Sequence, residues 1–182
     1  VDEDLPLPLV EKWRYNAHGG FGPGSPLIVE ETVFVSSRNG QVHGIRLRDG
    51  DRRGREEFGE AIEGTPVVTD SVLYVPVSWE EPRILAYDFT RGKSVWTRRG
   101  TAVQTGLALR GRLLYAADVE GRVTAFNRVT GDTVWTASSD SLVSYRASPV
   151  VTNGAVIAAD DRGHVRAFEA ATGELLWERS LG

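Results

Sequence analysis

Hydrophobic positions in this chain fall in short runs rather than at helical spacing. The runs Val33-Phe34-Val35, Val72-Leu73-Tyr74-Val75, Leu113-Leu114-Tyr115 and Val156-Ile157-Ala158 are rich in β-branched and aromatic residues. Gly, Asp, Asn or Pro breaks the pattern at intervals of about eight to twelve residues, and no segment sustains a 3.6-residue apolar period. The pattern therefore predicts antiparallel strands and essentially no helix. In Val123-Thr124-Ala125-Phe126-Asn127, alternation puts Val123 and Ala125 on one face and Phe126 on the other. A strand apolar on both faces belongs to a sheet covered on both sides.

The runs belong to an internal repeat. A small residue followed by proline opens each unit at Ser25-Pro26, Thr65-Pro66 and Ser148-Pro149, with Gly106-Leu107 as a degenerate copy; positions 26, 66, 107 and 149 step by 40, 41 and 42 residues. A turn glycine lies 14 residues after that start in three copies, at Gly40, Gly121 and Gly163. The closing landmark runs from Ala86 to Trp96, from Ala125 to Trp135 and from Ala167 to Trp177 without gaps, and in each the glycine (Gly92, Gly131, Gly173) precedes the tryptophan by four. In the first copy Gly44 replaces Ala, and Phe58 is read in place of Trp, with four extra residues between Arg48 and Arg55 and Gly54 keeping the four-residue step. Repeats of about 40 residues with four strands each predict an all-β β-propeller of four blades. The blades are expected at 24–61, 62–100, 101–142 and 143–182, with 1–23 as the outer strand of a preceding blade plus an entry loop.

Glycine in the closing landmark supplies a positive-φ position in the tight connection to the outermost strand, and that strand presents tryptophan to the neighbouring sheet. Burying an indole stabilises such a junction by at most about 4 to 6 kcal/mol. Gly92, Trp96, Gly131, Trp135, Gly173, Trp177 and Phe58 are thus expected to dock blades, with the three tryptophans largely buried. The insertion Ser78-Trp79-Glu80-Glu81-Pro82-Arg83 puts an aromatic in a turn. Trp79 and Arg83 are candidates for binding a partner, the alternative being that Trp79 folds back onto its own blade.

Composition narrows the chemistry. The 182 residues carry a net charge of -4, which argues against a general phosphate-binding surface and hence against a nucleic-acid partner. Cys 0 excludes a disulfide framework, a thiolate nucleophile and an iron-sulfur cluster. No window approaches the roughly 20 apolar residues of a membrane-spanning helix. Met is also 0, so Val1 is not expected to be a translation start.

The motif Ala-x-(Asp/Asn)-x-x-Thr-Gly-x-x-x-Trp resembles the tryptophan-docking motif of PQQ-type β-propeller repeats. That family includes quinoprotein dehydrogenases, the BamB lipoproteins of outer-membrane assembly, and envelope and sensor proteins. The resemblance covers Trp13 to Gly182 and implies the fold; the motif is shared by catalytic and noncatalytic members. It further implies a ring of six to eight blades. Anchors at Trp13, Phe58, Trp96, Trp135 and Trp177 outnumber the four inner-strand starts, so either the ring is completed by further sequence or another chain, or four blades close compactly.

Candidate chemistry is sparse. The adjacent-cysteine disulfide that covers the quinone in many relatives cannot form here. Asp118, Asp160 and Asp161 sit in turns, where such residues bond their own backbone. His18, His43 and His164 occupy unrelated positions, giving no metal-ligand spacing. Ser138-Ser139-Asp140-Ser141 has no neighbouring His, and the glycines from Gly19 to Gly24 lack the Lys-Ser/Thr ending of a phosphate loop. These readings assign no catalytic residue, cofactor or metal. The resemblance implies a noncatalytic scaffold or protein-interaction module of the cell envelope, periplasmic and lipid-anchored like the BamB proteins, with protein partners. The alternatives are a fragment of a PQQ/Ca-dependent quinoprotein dehydrogenase and a ligand-sensing ectodomain.

Overall fold

The structure is a computed structural model that describes residues 8–139 and 142–181; Asp140 and Ser141 of the serine-rich run and residues 1–7 of the expected first segment lie outside them. Among the described residues every regular element is a strand. The first sheet contains β1 (Leu27–Val29), β2 (Thr32–Ser36), β3 (Gln41–Arg46) and β4 (Arg52–Glu57). The second contains β5 (Val67–Thr69), β6 (Val72–Val77), β7 (Arg83–Asp88) and β8 (Lys93–Arg99). The third contains β9 (Ala108–Arg110), β10 (Leu113–Ala117), β11 (Arg122–Asn127) and β12 (Thr133–Ser138). The fourth contains β13 (Val150–Val151), β14 (Ala155–Ala159), β15 (His164–Glu169) and β16 (Leu175–Ser180). Each sheet is a simple antiparallel meander in chain order, the blade of a β-propeller.

Burial follows from the stacking. Val123, Thr124, Ala125 and Phe126 of β11 are all buried, because sheets lie against both faces. Tyr74, Ala86, Trp96, Leu114, Ala116 and Phe126 form the core between the second and third sheets. Tyr115, Ala125, Trp135, Val156 and Phe168 form the next core, and Val42, Ile62, Leu73, Val75 and Leu85 fill the first junction.

The small residues that open each repeat are explained at the innermost strands, where neighbouring sheets touch through backbone groups and short hydroxyls. Thr65 Oγ1 donates to the Ser25 carbonyl at 3.0 Å, the Leu107 N–H to the Thr65 carbonyl at 3.3 Å, and the Gly106 N–H to Ser148 Oγ at 2.8 Å. Residues 8–23 form no strand; Phe21 makes only an isolated bridge to Ser37. Pairing needs a strand alongside, and none lies beside this segment among the described residues. The expected outer strand is instead an irregular stretch that still delivers Trp13 to the first sheet.

Candidate functional site

Three tryptophans meet the following sheet in the same way. The Nε1–H of Trp96 donates to the Arg128 carbonyl at 2.9 Å, that of Trp135 to the Ala170 carbonyl at 3.0 Å, and that of Trp13 to the Leu47 carbonyl at 2.7 Å. Three residues after each acceptor stands a positive-φ glycine: Gly131 (φ 74°), Gly173 (φ 77°) and Gly50 (φ 78°). The indole lies flat on that glycine. A Cβ at Gly131 would sit 2.6 Å from Trp96 Cδ2, one at Gly173 2.6 Å from Trp135 Cδ2, and one at Gly50 2.9 Å from Trp13 Cδ2. Glycine is needed for its conformation and again for the close approach of the ring. A junction therefore has a sending indole, on the outermost strand for Trp96 and Trp135 and on the irregular first stretch for Trp13, and a receiver in the next sheet's turn. Trp96 and Trp135 are each 8% exposed.

The receiving turn is built locally. The Gly131 N–H bonds the Asn127 carbonyl at 2.8 Å, Gly173 the Glu169 carbonyl at 2.9 Å and Gly50 the Arg46 carbonyl at 2.9 Å, closing a five-residue loop. Asn127 Oδ1 accepts the Val129 N–H, and Asp88 Oδ1 accepts the N–H groups of Thr90 and Arg91, the side chain standing in for a turn's missing backbone partners. The Thr90 hydroxyl on Asp88 holds that carboxyl below its usual range, helped by the same two N–H groups against the opposing effect of burial.

The register of the first sheet corrects one expectation. Ala86 faces Trp96, Ala125 faces Trp135 and Ala167 faces Trp177, each pair followed by a bulge. The corresponding pair in the first sheet is Gly44 and Gly54, with its bulge in the same place. The first copy thus has no insertion: Gly54, not Phe58, occupies the tryptophan position, and Gly50 is the turn glycine. A chance Gly-x-x-x-Phe at 54–58 imitates the motif one strand-end too late. Phe58 still packs at this junction, edge-on to Tyr87 with centroids 5.4 Å apart, while the Tyr87 hydroxyl donates to Glu56 at 2.8 Å.

Trp177 also departs from the expected burial. It is 40% exposed, and Leu175 and Leu176 beside it on β16 are more than half exposed, because no sheet follows the fourth among the described residues. At the second sheet, Gly92 (φ 64°) keeps the receiving conformation but carries no indole; the nearest atom to a Cβ there would be the Tyr87 hydroxyl at 3.8 Å.

The candidate partner-binding pair divides. Trp79 is half exposed in the turn after β6, next to Glu80 at φ 57°. Arg83 is not available for a partner. Its side chain is 15% exposed and donates to Glu60 Oε1 at 3.2 Å, to the Glu81 carbonyl at 2.9 Å and to the Phe58 carbonyl at 2.9 Å. A guanidinium with three internal acceptors is a brace between the turn and the end of the first sheet.

The turn carboxylates are equally committed. Asp118 Oδ1 accepts the N–H groups of Glu120 and Arg122 while Oδ2 accepts Arg122 Nε at 2.7 Å. Asp160 repeats the arrangement with Arg162 and His164, and its Oδ2 takes the Arg166 guanidinium at 2.6 Å. Burial pushes the Asp160 carboxyl up, but these donors outweigh it and hold the group at about 2. Burial likewise opposes the charge on Arg166, yet Asp160, Tyr145 and Glu178 raise its pKa above the usual range. Among the described residues no group of three or more His, Asp or Glu could hold a metal ion. His43 is buried with Nδ1 2.9 Å from the Tyr15 hydroxyl, and burial followed by the charges of Arg55 and Arg52 lowers its pKa. Among the described residues, His18 and His164 share no hydrogen-bond partner with it.

The profile of the family described as outer membrane protein assembly factor BamB matches residues 10–138 and, in a second placement, 80–182. The chain belongs to that family. An outer membrane protein assembly factor BamB from Kangiella koreensis is 29% identical over 126 residues, which cover 63% of this chain and 32% of the relative. Quinohemoprotein alcohol dehydrogenase ADH IIB from Pseudomonas putida is 32% identical over 111 residues, covering 53% of this chain and 16% of the enzyme. The crystal structure of BamB from Moraxella catarrhalis superposes with a TM-score of 0.72 at 23% identity, over 87% of this chain and 50% of that one, a likeness of fold. This BamB-family chain thus spans between a sixth and a half of the proteins it matches.

Proposed function

We propose that this chain is part of a noncatalytic propeller scaffold of the bacterial cell envelope, extracytoplasmic, whose role is to bind protein partners in outer-membrane protein assembly. The observation that carries the reading is the open face of the fourth sheet. Trp177 is the same kind of sender as Trp96 and Trp135, and with Leu175 and Leu176 it leaves an apolar strip in water that another protein element would cover. Further sheets, from the same polypeptide or another, complete a larger ring on this face. The oxygen atoms of Asp118 and Asp160 serve their own turns and a guanidinium, which supports a structural use of the carboxylates. Similarity to proteins named as assembly factors supports the setting.

A photo-crosslinker at Leu176, introduced into the protein as it occurs in its envelope, tests the reading. It should capture a component of the outer-membrane assembly machinery or a further sheet of the ring. The 32% identity to a quinohemoprotein dehydrogenase favours one alternative, a piece of a quinone-dependent enzyme. Reconstitution with quinone and Ca²⁺ that yields the cofactor's absorbance and dye-linked alcohol oxidation would overturn the noncatalytic reading.

A further inference from the structure

We propose that the junction between the first and second sheets is a receptor for a tryptophan side chain supplied by a partner polypeptide. The chain itself displays what the site accepts, since three junctions built on the same plan each hold an indole, with its N–H on a carbonyl and its face on a glycine. The second sheet keeps the glycine and the carboxylate cap of the receiving half. Gly92 has the left-handed backbone conformation, Asp88 caps the turn, and the Phe89 carbonyl stands three residues before the glycine, where Leu47, Arg128 and Ala170 accept their indoles. The sending half is missing because Gly54 occupies the tryptophan position opposite Gly44.

A cleft of about 620 Å³, wider than a single indole, lies where that side chain is missing. Its walls include Phe34, Gly44, Gly54, Val68, Leu73 and Phe89. Phe34 holds the strand position of Tyr74 and Tyr115, the rings that lie against Trp96 and Trp135 at the other junctions. Phe58 does not fill the space; it packs on Tyr87. A Cβ at Gly54 would meet nothing within 4 Å, so the cleft is open where the absent side chain would enter.

The form of the occupant follows from the strand order. β4 is the edge of its sheet, so its outer backbone groups are free to pair with an extended peptide, whose alternate side chains then point to the face on which the cleft opens. Arg53, Arg55, Glu30 and Asp70 give the cleft a rim of both charges, suited to a polar peptide backbone carrying one apolar anchor. The site is internal to the first two sheets and does not depend on how the ring is completed.

The test is titration of the chain with a seven-residue extended peptide carrying one central tryptophan, with the same peptide carrying leucine, and with N-acetyl-tryptophanamide, read by amide chemical shifts and calorimetry. The tryptophan peptide is expected to shift the amides of Gly54, Phe89 and Gly92 and to bind at least about tenfold tighter than the leucine peptide. Gly54→Trp fills the cleft from within and should abolish binding, whereas Gly54→Ala should retain it. Equal binding by the leucine peptide, shifts located elsewhere, or unchanged binding by folded Gly54→Trp would overturn the proposal. Binding of N-acetyl-tryptophanamide as tight as that of the peptide would overturn the polypeptide occupant and reassign the cleft to small aromatic ligands.

Discussion

Trp96 and Gly131 are a single structural unit made by two different sheets: the ring covers the glycine, and the indole N–H reaches the Arg128 carbonyl at 2.9 Å. Arg98 strengthens the same junction by donating to the Gly131 carbonyl at 2.6 Å and to Asp132 at 2.6 Å. Flatness of the contact depends on the absence of a side chain at 131. Gly131→Ala should therefore cost about 2 to 4 kcal/mol, from the left-handed conformation and the displaced ring together. Gly111→Ala, also at positive φ but with open space around it, should cost about 1 to 2 kcal/mol. Urea denaturation of the two variants measures the difference, which isolates docking from backbone strain.

The position of a tryptophan in the array sets its worth. Trp135 is buried between the third and fourth sheets, so Trp135→Ala should destabilise by about 3 to 5 kcal/mol. Trp177→Ala should lose no more than about half as much, because the residue is 40% exposed. Chemical denaturation of both variants compares them directly.

The repeat was legible in the sequence because three copies share an ungapped motif, and the turn carboxylates were legible because Asp before Gly in a polar turn has a local use. That a tryptophan docks on the neighbouring sheet was legible too, but its pairing with that sheet's turn glycine was not. Trp96 and Gly131 lie in different repeats, and nothing in either repeat says that a tryptophan is received by the following glycine rather than by its own. Residues 44–54 align with 86–96 without a gap, a signal that would have located Gly54, but Gly54 and Phe58 mimic the motif spacing and drew the register four residues late. The bracing role of Arg83 was hidden for a similar reason, since Glu60 and Phe58 reach it only when two sheets stack.

Acid should weaken the fourth sheet. Asp160 sits at about 2 in the folded state, below its ordinary value, so its contribution is complete above about pH 4 and is lost as pH falls toward 2. The loss amounts to roughly 2 kcal/mol. Asp160→Asn should be less stable than the parent at pH 6 and should show a smaller fall in stability between pH 4 and pH 2, measured by denaturant titration at each pH.

Trp79 is half exposed and outside the buried clusters, which predicts that Trp79→Ala changes the melting temperature by no more than about 2 °C. Arg83→Ala removes two hydrogen bonds to the end of the first sheet and one within its own turn, and should lower it further than Trp79→Ala does. Parallel thermal melts by circular dichroism distinguish an exposed turn residue from a brace.

The central claim is that the second and third sheets each hand a tryptophan to the next, which leaves the fourth sheet with an unreceived Trp177 beside Leu175 and Leu176. Sedimentation of the purified 182-residue chain with a hydrophobic dye present tests it most directly. The account predicts association above 19.9 kDa, or dye binding that Leu176→Ser with Trp177→Ser reduces. A stable 19.9 kDa monomer that binds no dye would contradict it.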